Sequence, residues 1–167
     1  MIDWIIYSVL IGTGATVLFD LWSLLLEKMF NMPPLNWQMV GRWIGLMREG
    51  KFYHQKISQS KAVKNELLIG WLTHYLIGII FAGIFLLIHK VSFSLLTVSF
   101  LSCITFGIVT VVFPFFIMQP CMGLGIAASK TPKPHVARIR SLINHMVFGV
   151  GLYVATLTCV TVNQSFF

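Results

Sequence analysis

Four polar side chains interrupt long apolar stretches of this sequence or stand at their edge: Asp20, His74, Gln119 and His145. Ionisable groups inside apolar spans are costly and normally face the interior of a helix bundle. A carboxylate beside a histidine shifts the pKa of its neighbour, so the pair can bind a solute or an ion in a proton-dependent way. We therefore predict that these four residues form the polar core of a binding site, with none assigned to catalysis.

Two other interpretations of the same residues stay open. His74 and His145, on separate helices at similar depth, could be the axial ligands of a haem. Asp20 could instead join them in a metal site of two histidines and one carboxylate. Besides this cofactor interpretation there is a structural one, in which the polar groups only hold neighbouring helices together and Asp20 accepts a hydrogen bond from one histidine. No nucleophile can be placed beside a base, so an enzyme is the less favoured class.

The elements that must position these residues are four apolar stretches, at about 4–26, 67–88, 93–118 and 142–162. A helix needs about 20 apolar residues to cross the hydrocarbon core of a bilayer. The chain of 167 residues is 57% hydrophobic and 10% charged, whereas a soluble domain carries roughly 25% charged residues. The sequence predicts an all-α integral membrane protein, a single domain of four transmembrane helices over residues 1–167.

Basic residues concentrate in the two segments that separate these spans, 27–66 and 119–141, and only Lys90 lies elsewhere. Lys and Arg accumulate in cytoplasmic loops, so we expect both segments in the cytoplasm and both termini outside. The net charge of +7 then reflects orientation and contact with anionic lipid headgroups rather than nucleic acid. We assign headgroup or anion contact to Arg42, Arg138 and Arg140.

The first basic segment contains a predicted helix. Asn36, just after Pro33-Pro34, suits the N-cap position. Apolar residues then recur at helical spacing: Trp37, Val40, Trp43 and Met47. This stripe favours either a short helix in the headgroup layer, anchored by its tryptophans, or a helix packed on the bundle.

Spans two and four share a short pattern. Residues 72–78 and 143–149 both read apolar, polar, His, three residues, Gly. Two helical-hairpin repeats in parallel orientation would produce this echo. Glycines stand one turn from each histidine (Gly70 and Gly78 around His74, Gly149 after His145), so we expect a neighbouring helix to approach these faces closely.

Several strings together resemble a bacterial inner-membrane family catalogued as domain of unknown function 2938. They are Asp20-Leu21-Trp22, Val40-Gly41-Arg42-Trp43, Gly70-Trp71-Leu72-Thr73-His74-Tyr75, Gln119-Pro120, Met122-Gly123, Thr131-Pro132, Arg138, Ser141, His145, Phe148-Gly149 and Gly151-Leu152-Tyr153. The resemblance covers nearly the whole chain and implies a four-span protein of the bacterial inner membrane. It implies no activity and no functional residues.

These observations lead to one functional hypothesis and two alternatives. We expect a multi-pass inner-membrane protein with periplasmic termini that binds or transports a small solute or ion through a cytoplasm-facing Asp/His pocket. The alternatives are a haem- or metal-binding membrane subunit and a structural subunit without a ligand. Four spans enclose little volume, so a homo-oligomer or a partner membrane protein is expected besides the lipid bilayer.

Overall fold

The computed structural model describes residues 2–89 and 98–165, and every regular element in these ranges is helical. The elements are α1 (Ile2–Phe30), α2 (Trp37–Leu46), two single 3-10 turns (Met47–Glu49 and Ile57–Gln59), α3 (Glu66–Ile88), α4 (Phe100–Val109), a π-helix (Pro114–Met118), α5 (Gln119–Cys121), a 3-10 turn (Ile126–Ala128) and α6 (Pro134–Ser165).

Within the described ranges, four helices are long and apolar enough to cross a membrane. They cover Asp3–Phe30, Glu66–Ile88, Phe100–Cys121 and Pro134–Thr161. Large apolar side chains stay exposed along them, as a lipid-facing surface requires. The predicted all-helical class is confirmed. The expected start of the third span near Phe93 and the turn residue Lys90 lie outside the described residues.

The fourth of these helices begins earlier than the apolar stretch from 142 indicates. Its first residue is Pro134, and proline suits this position because its fixed φ matches the helix and a donor there has no partner within the helix. The first two turns are therefore polar and basic, and carry His135, Arg138 and Arg140. Apolar patterning locates the membrane-crossing part of such a helix and misses its polar beginning.

The third span is irregular at the end nearer Gln119. After α4 the chain passes through a turn at Thr110–Val111 and continues in the π-helix, whose buried Pro114 takes the first position. Proline removes an N–H donor from the regular ladder and crowds the preceding turn, which breaks α-helical bonding. The N–H of Gln119 accordingly bonds to the carbonyl of Pro114, five residues earlier.

The predicted helix of the first basic segment is present as α2, and its N-cap is confirmed. The Asn36 side chain accepts a hydrogen bond of 3.2 Å from the N–H of Met39. The apolar stripe is buried against protein: Val40, Trp43, Leu46, Ile57 and Met122 form one core cluster. The headgroup-layer alternative therefore does not hold for Trp43, because its indole is enclosed in this cluster.

The chain divides into two compact units. The first comprises Met1–Pro33, Tyr75–Val109 and Ile143–Phe167, and the second Pro34–His74 and Thr110–Leu142. In the first unit helices meet through glycines: a Cβ built on Gly149 would lie 2.6 Å from the Cys103 carbonyl oxygen, and one on Gly12 would lie 2.5 Å from the Cα of Ile79. A Cβ on Gly78 would meet the Thr16 hydroxyl. The expected close approach at Gly78 and Gly149 is confirmed.

In the second unit α2 packs directly on the beginning of α3. A Cβ on Gly41 would collide with the carbonyl oxygen of Glu66, and a Cβ on Gly70 would collide with that of Trp37. The two glycines also face each other, since the Gly70 Cβ position lies 3.2 Å from the Gly41 nitrogen. This is backbone-to-backbone packing, which leaves no space for a side chain.

We expect Gly70→Ala to destabilise the protein by about 1–3 kcal/mol, because the added methyl forces two backbones apart. Leu72→Ala is the matched control, since Leu72 is 63% exposed on the same helix. Thermal unfolding in detergent, followed by tryptophan fluorescence, should show a lower midpoint for Gly70→Ala only. Equal midpoints for the two variants would contradict this packing.

Candidate functional site

Asp20 has a hydrogen-bond partner inside the first unit. The phenol of Tyr75, on α3, donates to Oδ2 of Asp20, on α1, over 2.9 Å. Both side chains are partly buried, and both lie within candidate spans. The bond therefore joins two candidate membrane-spanning helices through a carboxylate. The sequence singled out Asp20 but looked to the histidines for its partner and did not identify Tyr75.

His74 lies in an aromatic cluster of the second unit. Its ring stacks on Trp37 with centroids 3.9 Å apart and planes inclined by 26°. Trp71, one turn earlier on α3, meets the same imidazole edge-on at 5.9 Å. Trp37 opens α2, so the docking of α2 on α3 also positions the imidazole.

A buried ion pair lies on the same two helices. Arg42 donates from Nε and Nη2 to the two carboxylate oxygens of Glu66, each over 2.8 Å. Gln38 donates a further bond of 2.6 Å to this carboxylate. The backbone N–H of Val63 adds another, of 3.0 Å. The hydrogen bond to Glu66 raises the pKa of the Arg42 guanidinium, although burial opposes this shift.

This pair changes the interpretation of Arg42. The sequence predicts that Arg42 contacts lipid headgroups or an anion, but the residue is 8% exposed. Its remaining nitrogen, Nη1, points to the carbonyls of Ser58 and Ser60 at 3.4 and 3.3 Å. Arg42 thus closes the loop before α3 and is occupied by protein groups.

The other two arginines lie at the start of α6 in the second unit, and both are half-buried. Arg138 donates from Nε to the carbonyl of Ala127 over 2.8 Å. The segment it holds is sharply bent, with Gly123, Gly125, Ala127 and Ala128 all at positive φ. The two glycines suit this bend, because glycine adopts positive φ without steric cost. Headgroup contact by Arg138 and Arg140 stays a prediction.

Gln119 is buried in the second unit at the end of the π-helix. It is 7% exposed, and its Oε1 has no hydrogen-bond partner among the described residues. A buried acceptor without a partner costs about 1–3 kcal/mol, so such groups often mark places where water or a ligand enters. Short π-helical segments are also frequent at functional sites.

His145 lies in α6 of the first unit, where its backbone meets another helix. A Cβ built on Gly107 would lie 2.5 Å from the His145 carbonyl oxygen. The preceding residue, Asn144, is more deeply buried, and its Oδ1 finds no partner within the described ranges. Sequence reasoning passed over Asn144 because it concentrated on titratable groups.

His54 is a buried histidine that the sequence did not reveal. It is 8% exposed, and its Nδ1 lies 3.0 Å from the Ser60 hydroxyl. Its Nε2 is buried without a partner in the described part of the chain. No sequence signal distinguishes it, because it stands in a polar, basic loop outside every apolar stretch.

The four residues predicted for one site divide between the two units: Asp20 and His145 in the first, His74 and Gln119 in the second. Their common pocket stays a prediction. Across residues 2–89 and 98–165, no three side chains of His, Cys, Asp or Glu form a group that could hold a metal ion. The three-ligand metal alternative therefore gains no support, and haem ligation by His74 and His145 stays a prediction.

We expect Glu66→Gln to lower the free energy of unfolding by about 3 kcal/mol, because it leaves the buried guanidinium of Arg42 without a counter-charge. Arg42→Lys should also destabilise, since an ammonium cannot make the two parallel bonds. Glu49→Gln is the matched control, because Glu49 pairs with Lys51 on the exposed surface and such pairs contribute little. Denaturant titrations in detergent would measure all three, and a loss for Glu49→Gln as large as that for Glu66→Gln would contradict the assignment.

The family of the chain follows from a comparison with known families. Residues 9–159 match DUF2938, described as a protein of unknown function. No curated protein and no solved structure matches the chain. The match covers most of the sequence, including α2, the aromatic cluster around His74 and the Arg42–Glu66 pair. The chain therefore belongs to the DUF2938 family.

Proposed function

We propose that this protein binds and transports a small solute or ion, in the simplest case a cation exchanged for a proton, with Asp20 as the exchanging group. The observation that carries the proposal is the bond from the Tyr75 phenol to the Asp20 carboxylate between two candidate spans. Ionisable residues within membrane spans are rare, and those that occur commonly mark ion pathways or proton relays.

The chemistry of this pair suits exchange. A phenol is a neutral donor, so its bond fixes the direction of the carboxylate without adding positive charge. Only one carboxylate oxygen, Oδ2, receives this bond, and a carboxylate has several acceptor positions with which it can contact a cation. A proton and a cation then compete for the same oxygens, and this competition couples the movement of one to the other.

The remaining predicted residues extend the proposal without being needed for it. His74, Gln119 and His145 are the further polar groups that we propose for binding of the solute or ion. The two basic segments support the proposed orientation in an inner membrane, with both segments in the cytoplasm and the termini on the other side. Asp20 alone carries the exchange step, so it alone decides the test.

The test uses proteoliposomes that contain a pH-sensitive dye and are diluted into K⁺, Na⁺, Mg²⁺, Mn²⁺ or tetraphenylphosphonium in turn. At least one cation should release protons through the wild-type protein. Asp20→Asn should abolish this release, because the amide keeps the size of the side chain and loses its charge. Glu27→Gln is the matched control, since Glu27 is exposed on the same helix.

Tyr75→Phe should retain exchange but require a higher cation concentration for half-maximal proton release. Loss of one hydrogen bond to a charged group costs about 1.5 kcal/mol, which corresponds to roughly a tenfold change in half-saturating concentration. Exchange by folded Asp20→Asn at the wild-type rate would refute the proposal. If no cation drives proton release and both variants only unfold at lower temperature, the Asp20–Tyr75 bond is a structural link between helices.

A further inference from the structure

The loop between the two 3-10 turns Met47–Glu49 and Ile57–Gln59 presents two aromatic side chains to the outside. Phe52 is 59% exposed and Tyr53 is 61% exposed. Nearby residues of the same loop are turned inward, since His54 and Ile57 are buried. Lys51, Gln55 and Lys56 are exposed as well, so the outer side of the loop carries two aromatic side chains among polar and basic ones.

The loop is held by its backbone on both sides of the aromatic pair. The indole N–H of Trp43 donates to the Phe52 carbonyl over 2.9 Å. The N–H of His54 donates to the Cys121 carbonyl over 2.8 Å, and the N–H of Ile57 donates to the Met122 carbonyl over 3.1 Å. Phe52 and Tyr53 thus project from a fixed support.

The same bonds indicate the depth at which the loop lies in a bilayer. Cys121 is the last residue of the third candidate span, and Met122 follows it. A loop bonded to both lies where that helix leaves the hydrocarbon, which is the headgroup level. Aromatic side chains with an apolar body and a polar tip prefer this level. All of these residues belong to the second unit.

The charge around the pair indicates which surface covers it. Exposed lysines stand on both sides, Lys51 before Phe52 and Lys56 after Tyr53, followed by Lys61 and Lys64. Of the acidic residues near these lysines in the described part of the chain, Glu49 is exposed and pairs with Lys51, and Glu66 is buried against Arg42. Two aromatic side chains offer far less area than the roughly 800 Å² per partner of a stable protein interface. Basic residues interleaved with aromatic ones are typical of segments that bind anionic membranes.

We propose that residues 51–56 form a membrane-docking loop that binds anionic phospholipid. Phe52 and Tyr53 enter the boundary between headgroups and acyl chains, and Lys51 and Lys56 contact the lipid phosphates. This loop takes the role that the sequence assigned to the tryptophans of α2 and to Arg42, all of which the second unit uses internally. The proposal is independent of exchange at Asp20.

The test places a fluorescent amino acid at position 53 of the full chain in phosphatidylcholine nanodiscs. The comparator carries the same probe at Gln59, an exposed polar residue in the 3-10 turn that follows the loop. Brominated phosphatidylglycerol should quench the probe at position 53 more strongly than at position 59, and aqueous iodide should show the opposite order. Lys51→Gln with Lys56→Gln should raise the phosphatidylglycerol fraction needed for half-maximal quenching about fivefold.

Three results would overturn the proposal. Quenching of position 53 by iodide alone would place the loop in water. Protection from both quenchers would indicate that a protein chain covers it. Equal quenching by brominated phosphatidylcholine and phosphatidylglycerol would remove the role of the lysines. Each variant must first show the wild-type unfolding temperature, so that a change in quenching cannot result from unfolding.

Discussion

The second unit depends on one buried ion pair, between Arg42 and Glu66. The guanidinium bonds to the first residue of α3 and to two loop carbonyls at once, so it fixes α2, α3 and the intervening loop together. Such a pair adds little net free energy to folding, because both charges lose their hydration when they are buried. Its value lies in geometry: the planar fork accepts one arrangement of helix and loop. That arrangement brings Trp37 onto His74 and allows Gly41 to meet Gly70.

Much of this fold can be predicted from local sequence, and the Arg42–Glu66 pair cannot. The spans are predicted from the length of the apolar stretches. The start of α2 is predicted from Asn36, whose side chain caps the helix. The stripe of α2 is also visible, but its surroundings are not, since a Trp stripe suits a headgroup layer as well as a protein core. Arg42 falls beside that stripe and looks solvated. Its partner is 24 positions away, and local spacing carries no information about a contact at that distance.

The candidate site shows the same division. Asp20 stands out because a carboxylate inside an apolar stretch is expensive, whereas Tyr75 does not, because a tyrosine in a span is ordinary. His54 and Asn144 are buried polar residues that no pattern marks, the first in a basic loop and the second beside a more conspicuous histidine. The echo between residues 72–78 and 143–149 stays a prediction of repeated hairpins. Sequence reasoning thus finds groups that violate the apolar pattern and misses buried polar groups that no such pattern marks.

The π-helix before Gln119 has a consequence for how this part of the chain is read. A π turn is equivalent to one residue inserted into an α-helix, and at 3.6 residues per turn an insertion rotates everything beyond it by roughly 100°. Gln119 therefore faces a direction that the spacing of the preceding polar residues does not give. Shortening the segment by one residue would preserve the composition of the helix and present a different side chain to the interior. The identity of the buried polar group at this level is set by a count of residues as much as by their types.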